Sequence, residues 1–305
     1  MNISDRLDAA ASAFWTRAKV FIDQKLYEKH YPNLIGRDLV AAKTDIPPGA
    51  SKVEYQMFDR VGAAKLIAAY ADDLPRVDIF STADEVPVRR LGVAFGHTYD
   101  EIVSAAMAGV QLSAMKGMAA RKAIEEFLDG MIALGSTADG IYGLLNNPNV
   151  TVANVVNPGG GTAWSTKTAA QILTDMMEPL HTIIDTTFGR ELPDTMVLPD
   201  TQYAIAASTR NSDSSDETVL SFFLKTNGHI HNVIPWYKCA GAGVSSVDRM
   251  VVYRRDPDVV EHALAEDFVS LAPQYQNLEA VVNCTAKHGG CIVRYPMAFA
   301  YRDGI

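Results

Sequence analysis

Cysteine is scarce in this 305-residue chain, and no stretch is apolar enough for a membrane helix. Cys239, Cys284 and Cys291 form an odd set without a C-x-x-C spacing, which is typical of a protein in a reduced compartment. No apolar run approaches the ~18 residues that a bilayer requires, and the first residues lack the basic and apolar segments of a signal peptide. We therefore expect a soluble protein that is not exported by that route.

An excess of basic charge is also lacking. The net charge is −9 and the pI is near 5.2, so the field of the whole molecule repels nucleic acid and anionic membranes. The balance of apolar and charged residues is that of an ordinary globular protein, and repeats and low-complexity segments are absent. The length is enough for one large or two ordinary domains with a sizeable core.

Motifs of catalysis are missing as well. No Lys-Ser/Thr follows the glycine run at 159–161, and G-x-S-x-G, H-E-x-x-H and S-x-x-K are not found in a suitable context. His229 and His231 would share one face of a strand and could begin a metal site, but no third ligand is evident nearby, so a polar strand face is favoured. Asp72 and Asp73 precede Leu74-Pro75 and indicate a turn. The sequence predicts no cofactor and no metal, and it disfavours an enzyme.

The most continuous helical pattern covers residues 98–134. Thr98 and Glu101 fit a capping box at its start, and Gly135 supplies a stop. Apolar residues recur at three- and four-residue steps, which predicts one buried stripe: Ile102, Ala105, Ala106, Val110, Ala114, Ala120, Ile124, Phe127, Leu128, Met131 and Leu134. Such a helix would be about 55 Å long, more than a compact globule of this size accommodates, so we expect an elongated molecule or a bend at Gly109, Gly117 or Gly130.

Two segments precede this helix. Residues 5–29 are predicted to form an amphipathic helix, an arm that ends at Tyr31-Pro32. After the prolines at 47–48, residues 52–95 carry two alternating, strand-like pieces, at 53–58 and 86–93. Because an isolated two-stranded ribbon is marginal in water, this hairpin-like excursion is expected to need a partner surface.

Helices and strands alternate in the following section, which predicts an α/β or α+β subdomain. We expect helices at 165–189 (interrupted at Pro179), 200–208 and 216–226, and strands at 195–198, 229–236 and 249–253.

The tail, 278–302, is predicted to be a hairpin that turns at Gly289-Gly290. One of its faces would carry Cys291, Val293, Tyr295, Met297, Phe299 and Tyr301. In that register Cys284 and Cys291 lie ~13 Å apart, too far for a disulfide.

Taken in order, these elements are an arm, an extended excursion, a long capped helix, an inserted α/β subdomain and a returning strand pair. This order resembles the major capsid protein of tailed bacteriophages with the Hong Kong 97-like fold, over nearly the whole chain. Four strings sharpen the resemblance: Asp59-Arg60-Val61-Gly62-Ala63-Ala64-Lys65, Asp72-Asp73-Leu74-Pro75-Arg76-Val77-Asp78, Gly143-Leu144-Leu145-Asn146, and Gly289-Gly290-Cys291-Ile292-Val293-Arg294-Tyr295-Pro296.

The resemblance implies an α+β fold with four parts. Residues 1–48 would be the N-terminal arm and 49–96 the E-loop. Residues 97–162 and 277–305 would form the peripheral P-domain, with a long spine helix plus a β hairpin. The axial A-domain would be 163–276.

It also implies a structural protein that assembles into the pentamers and hexamers of an icosahedral phage head around double-stranded DNA. The expected partners are further copies of the chain, a separate scaffolding protein, the portal and, in some heads, decoration proteins, with no membrane. The expected location is the virion capsid, assembled in the host cytoplasm. Some members of the fold cross-link a lysine to an asparagine, but no such pair can be matched here.

The candidate assembly residues fall into three groups: exposed aromatics of the arm and E-loop (Phe14, Trp15, Phe21, Tyr55 and Phe58), basic residues (Arg89 and Arg90), and glycines of the loop at 240–243 (Gly241 and Gly243). The arginines could contact phosphate or form intersubunit ion pairs, although a solvated face is the simpler interpretation. The glycine loop could crowd the capsomer axis or be an ordinary turn.

Two alternatives remain open at this point. An encapsulin-like nanocompartment would share the fold and enclose cargo enzymes instead of DNA. A soluble α+β enzyme would use scattered polar residues around His229, His231 and Asp248.

Overall fold

The computed structural model describes residues 32–66, 76–108, 112–156, 161–212 and 216–305. The predicted arm helix at 5–29, with Phe14, Trp15 and Phe21, lies outside these ranges, as do Asp72 and Asp73. Residues 34–305 cluster as one unit.

Six α-helices lie in the described ranges: α1 (Gly36–Leu39), α2 (Tyr99–Ala108), α3 (Leu112–Ala133), α4 (Ala169–Thr187), α5 (Asp200–Ser208) and α6 (Val219–Thr226). The strands of the same ranges are: β1 (Ala41–Lys43), β2 (Lys52–Val61), β3 (Asp78–Pro87), β4 (Arg89–Thr98), β5 (Gly135–Ser136), β6 (Ile141–Tyr142), β7 (Val152–Asn154), β8 (Thr195–Leu198), β9 (Asn232–Pro235), β10 (Arg249–Tyr253), β11 (Val260–Ser270), β12 (Gln274–Gln276), β13 (Glu279–Val293) and β14 (Phe299–Asp303).

The first sheet is organised around β13, which pairs with β11 and β12 along one edge and with β4 along the other. Strand β1 adds to β11 in parallel. Helix α3 packs on this sheet because Ala120, Ile124 and Leu128 recur every four residues and meet Cys284 and Ala286 of β13.

The second sheet has the order β7-β14-β10-β8-β9. Its central strands are buried on both faces and are rich in β-branched and aromatic residues. One of them, Arg249–Tyr253, is a strand that the sequence predicts. Helices α4, α5 and α6 cover one face, where Met176, Phe223 and Met250 are fully buried. The other face meets the end of α3, where Ile132 packs in the same cluster as Val251.

The start and the stop of the long helical pattern are confirmed. The Thr98 amide donates to Glu101 Oε2 (3.2 Å) and the Glu101 amide donates to Thr98 Oγ1 (3.3 Å). Gly135 follows α3 with φ +65°, and a Cβ there would collide with the Ile141 carbonyl. The continuity of α2 with α3, and a bend at Gly109, stay predictions because residues 109–111 lie outside the described ranges.

The prediction of a buried stripe along the whole helix is wrong for residues of its first half and for two residues of its second half. Ile102 and Ala114 are exposed, and Phe127 and Leu134 are also exposed. Burial begins at Ala120, where the sheet around β13 comes under the helix. Periodicity marks an apolar face, but it does not say whether the chain itself covers that face.

The predicted tail hairpin is also wrong, because Gly289 and Gly290 lie inside the continuous strand β13. Gly290 has φ +73° at a register shift against β11, and a Cβ there would collide with Ile141. The glycines therefore allow a bulge and a close approach of β6, not a turn. The chain turns later, so Tyr295 and Met297 are exposed and β14 joins the second sheet.

The three cysteines are free and buried. Cys284 and Cys291 lie on one strand and not on the two strands of a hairpin. They therefore form no disulfide, as predicted, but because they are separated along a single strand.

The predicted interruption at Pro179 is wrong too. Helix α4 runs through this residue, because Met176, Leu180 and Ile183 on either side are held in the core.

Candidate assembly surfaces

The antiparallel pair β2–β3, called the ribbon below, is attached to the first sheet along only half of its length. Val53 and Val86 pack against Val88, Ala263 and Ile292 at its root. Tyr55 is half-buried there and donates its hydroxyl to Asp84 Oδ2 at 3.0 Å. Burial, with a smaller effect of the Asp84 carboxylate, raises the pKa of Tyr55 to about 12.

Beyond Met57 the ribbon leaves the body, and this distal half exposes large apolar side chains. Residues directly opposite in an antiparallel pair point to the same side. The root-side face, continuous with Tyr55 and Met57, carries the pairs Asp59–Phe80 and Val61–Asp78. The opposite face carries the pairs Phe58–Ser81 and Arg60–Ile79. Phe58 is 69% exposed and Phe80 is 57% exposed, so both faces lack a cover within the described chain.

Arg89 and Arg90 begin β4, where the chain passes from the ribbon into the first sheet. Arg90 lies 2.7 Å from Glu266 and donates to Thr285 Oγ1, and Arg89 lies 3.7 Å from Asp139. Both side chains are about half exposed, so these pairs contribute little to stability. An intersubunit role for them stays a prediction.

The glycine loop is held on the second sheet by two carboxylates. Gly241 has φ +67° and donates its amide to Asp248 Oδ1 (2.9 Å). Gly243 lies against Asp303, where a Cβ would come within 2.8 Å of the carboxylate carbon, and the next amide, Val244, donates to Asp303 Oδ2. The Val244 side chain is exposed. The loop is therefore an anchored structure, and its place at a capsomer axis stays a prediction.

Sequence reasoning missed the ion pair beneath this loop. Arg249 and Asp303 are buried and joined by two hydrogen bonds of 2.6 and 2.8 Å, across the β10–β14 pair. The guanidinium also donates to the Leu145 carbonyl and lies 4.7 Å from the centre of the Tyr301 ring. One ion pair thus ties the glycine loop, the connector after α3 and the last strand together.

A groove of about 710 Å³, called the Phe188 groove, was also missed. Its apolar lining comes from Met57, Phe188, Tyr295, Pro296 and Met297. The only sequence signal is Phe188-Gly189 after α4, where an aromatic residue takes the left-handed position that glycine usually fills at a helix end.

A further apolar surface lies along α2 and α3. Its exposed side chains include Tyr99, Met107, Met118 and Phe127. A pocket of about 510 Å³ beside Phe127 is bordered by Lys238. This is the part of the predicted stripe that the body does not cover.

The residues of the enzyme alternative are placed differently from the prediction. His229 and His231 precede β9, which begins at Asn232, so they do not share a strand face. Asp248 instead accepts hydrogen bonds from Gln202 Nε2 (2.6 Å) and the Gly241 amide.

Within the described ranges, no group of three or more His, Cys, Asp or Glu side chains is arranged to hold a metal ion. None of the helices described here is both long and apolar enough to span a bilayer.

Comparison with known proteins places the fold. A family model described as "Major capsid protein" matches residues 62–305. The structure is similar to the capsid of Myoviridae phage XM1, with a TM-score of 0.83 and 15% identity over 95% of this chain and 98% of that chain. The capsid of cyanophage P-SCSP1u gives a TM-score of 0.64 at 12% identity, over 93% and 92% of the two chains. No curated protein sequence matches the chain.

A nanocompartment protein is similar as well. The holo-SrpI encapsulin complex of Synechococcus elongatus PCC 7942 gives a TM-score of 0.59 at 12% identity, over 96% of this chain and 95% of that chain. These likenesses confirm the α+β, Hong Kong 97-like fold that the order of elements implies.

Proposed function

Since this chain belongs to the major capsid protein family, we propose that its copies form the pentamers and hexamers of an icosahedral phage head enclosing double-stranded DNA. The observation that best supports this proposal is the distal half of the ribbon, which extends beyond its own core with Phe58, Ile79 and Phe80 exposed. A two-stranded ribbon is marginally stable in water when nothing covers it. Neighbouring copies of the chain would bury these exposed side chains.

The exposed apolar residues outside the ribbon support assembly through several surfaces. Contiguous apolar patches on a soluble protein mark sites of interaction. Such residues occur along α2 and α3, at the Phe188 groove and at Val244 of the glycine loop. A subunit in a closed shell needs more than one such surface, because it contacts several neighbours.

In this proposal the chain divides as the resemblance implies. Residues 1–48 are the arm, 49–96 the E-loop, 97–162 and 277–305 the P-domain, and 163–276 the A-domain. The second sheet then combines β7 and β14 of the P-domain with β8, β9 and β10 of the A-domain. A rigid connection between the two domains follows, because they share strand pairing and a core.

We assign the remaining partners on the same basis. A separate scaffolding protein would guide assembly in the host cytoplasm, the portal would occupy one vertex, and decoration proteins would bind outside. The net charge of −9 fits a shell that confines DNA without holding it tightly. The TM-score of 0.83 with the XM1 capsid, against 0.59 with the encapsulin, favours a phage head over a nanocompartment.

Electron microscopy of the full chain, expressed alone and with the scaffolding protein of its phage, tests the function. Polygonal shells or capsomer rings are expected. A monomer or dimer under every condition would contradict the proposal. Shells that carry an enzyme cargo and no DNA would favour the nanocompartment.

A further inference from the structure

We propose that the Phe188 groove of one copy receives the root-side face of the distal ribbon of a second copy. The inference rests on the proposed function, and it deepens it by pairing two particular surfaces. Val61 and Phe80 would enter the apolar groove, and Asp59 would meet Arg190 at its rim. Three independent features support this pairing.

The first feature is the way in which Phe188 is presented. This residue is 89% exposed and has φ +53° and ψ +39°, a left-handed conformation that a bulky side chain rarely adopts. Strain and apolar exposure both disfavour this arrangement in an isolated subunit, and strained residues cluster at functional sites. Met297, which is 65% exposed, lies in the same groove. A partner that covers these side chains would offset both penalties.

The second feature is the geometry of the ribbon. Its root-side face rests on the body up to Met57, and the same face then continues outward with Val61 and Phe80. Met57 is the only ribbon residue that lines the groove, while Val61 and Phe80 stay exposed in the same chain. The two strands of a subunit's ribbon therefore do not fill its own groove, and the same face of a second copy's ribbon is left exposed to enter it.

The third feature is charge. Two other charged groups of the lining are already paired within the chain: Glu191 lies 3.0 Å from Arg254, and Arg294 lies 2.5 Å from Glu261. Arg190 is exposed and has no ion pair in the part of the chain that the structure describes. On the ribbon, Asp59 is likewise unpaired in that part. The root-side face also carries Asp78 beside Val61. Among the described residues, a groove with the unpaired Arg190 at its rim thus fits an apolar face edged by carboxylates, an arrangement that favours a fixed register.

The pairing predicts which positions of two copies come into contact. Phe188→Cys combined with Phe80→Cys in the full chain should form disulfides between subunits when shells are oxidised. The product is a ladder of linked subunits on a non-reducing gel. The native cysteines are buried and should not contribute.

Phe188→Cys combined with Ile79→Cys is the matched control, because Ile79 adjoins Phe80 but lies on the opposite face. We expect at least tenfold more cross-linking with position 80 than with position 79. Equal cross-linking at both positions, or none at position 80, would overturn the proposal. Cross-linking of Phe188→Cys to Trp15→Cys instead would show that the N-terminal arm occupies the groove, which also overturns it.

A charge exchange provides a second readout. Arg190→Asp and Asp59→Arg should each lower the yield of shells at least tenfold, and the double variant should restore most of it. Arg210→Asp, a change of the same kind at an exposed arginine outside the groove, should assemble normally. If the single variants assemble like the wild type, or if the double variant gains nothing, the proposed rim contact is wrong. A wild-type chain that assembles while these tests fail contradicts the pairing alone, whereas one that never assembles contradicts the proposed function.

Discussion

The ribbon and the second sheet show two opposite uses of β-strands in one chain. Every residue of β8, β10 and β14 is buried, with side chains packed on both faces. No residue of β2 or β3 is buried, and the distal half of the ribbon is exposed on both faces. Both regions are rich in β-branched and aromatic residues, so that property alone does not distinguish them.

This difference indicates that one set of side chains stabilises the folded subunit and another set acts in assembly. Side chains of the second sheet should determine the free energy of unfolding of the subunit, because they lose their solvent exposure within the chain. Side chains of the distal ribbon should affect that free energy little and should act when copies meet. The predictions below test this separation, beginning with the largest expected effect on subunit stability.

Asp303→Ala should reduce the free energy of unfolding by about 3–5 kcal/mol, because it leaves the buried Arg249 guanidinium without its carboxylate. It also removes the acceptor of the Val244 amide, so the glycine loop should loosen. Urea unfolding of the dissociated subunit measures the change.

Asp258→Ala is the control for this variant, since Asp258 is an exposed carboxylate without an ion pair among the described residues. Its effect should stay within about 0.5 kcal/mol. A loss below about 1 kcal/mol for Asp303→Ala would show that the second sheet does not depend on this pair.

The first sheet adds a prediction about pH, from two buried histidines. His262 Nδ1 and His288 Nε2 are 3.2 Å apart, and the Gly290 amide donates to His288 Nδ1 at 3.0 Å. This donor assigns the His288 proton to Nε2, where it can be donated to His262 Nδ1. The network therefore holds both rings neutral.

Burial is the main cause of the low pKa of both rings. It lowers the pKa of His262 to about 4, with Arg37 acting in the same direction and Asp267 against it. It lowers the pKa of His288 to about 3, with smaller effects of His262 and Arg37. In the unfolded chain these two histidines bind protons below about pH 6.5, whereas in the folded chain they do so only near pH 4. Their contribution to the free energy of unfolding is thus complete above pH 6.5 and is lost as the pH falls toward 4.

We expect the free energy of unfolding of the subunit to fall by about 1–3 kcal/mol between pH 7 and pH 5. Urea midpoints across this range measure the slope. His262→Gln should flatten it, whereas His181→Gln, at an exposed position of α4, should leave it unchanged. Equal slopes in the wild type and His262→Gln would show that the histidine pair does not link stability to pH.

Local signals in the sequence were sufficient for much of the fold. The capping box of Thr98 and Glu101 forms as predicted, and the strands Thr195–Leu198 and Arg249–Tyr253 have the predicted bounds. The alternating piece at 53–58 lies within β2 of the ribbon, but the piece at 86–93 covers only the end of β3 and the first half of β4, so most of the second ribbon strand was not predicted. Each of these signals lies within a few residues of the structure it specifies.

The errors arose where distant segments decide the outcome. Gly289-Gly290 has the sequence of a hairpin turn, but pairing with β11 and the approach of β6 turn it into a bulge within a strand. Pro179 stays inside a helix because the core holds the residues around it. Long-range packing overrode the local preference in both cases.

The candidate surfaces were harder to predict than the fold. Tyr55 and Phe58 were identified as exposed strand aromatics, and the structure places the first at the root and the second in the distal ribbon. The Phe188 groove combines residues near positions 57, 188 and 296, and the Arg249–Asp303 pair spans 54 residues. No residue spacing in the sequence predicts such long-range contacts.

The smallest expected effect on subunit stability concerns a phenylalanine of the ribbon. Phe58→Ala should change the free energy of unfolding by less than about 0.5 kcal/mol, because Phe58 is 69% exposed. Phe223→Ala is the matched control: this ring is fully buried under the second sheet, and its loss should reduce the free energy by about 3–5 kcal/mol.

The two variants should differ in how the fraction of subunits in shells relates to subunit stability. Phe58→Ala should lower the fraction of subunits in shells, measured by sedimentation and electron microscopy, while its urea midpoint stays at the wild-type value. Phe223→Ala should lose shells only in proportion to its loss of folded subunit. Normal shells from Phe58→Ala would mean that the opposite face of the ribbon has no neighbour in the assembled head. The contrast with the second sheet would then apply to the root-side face alone.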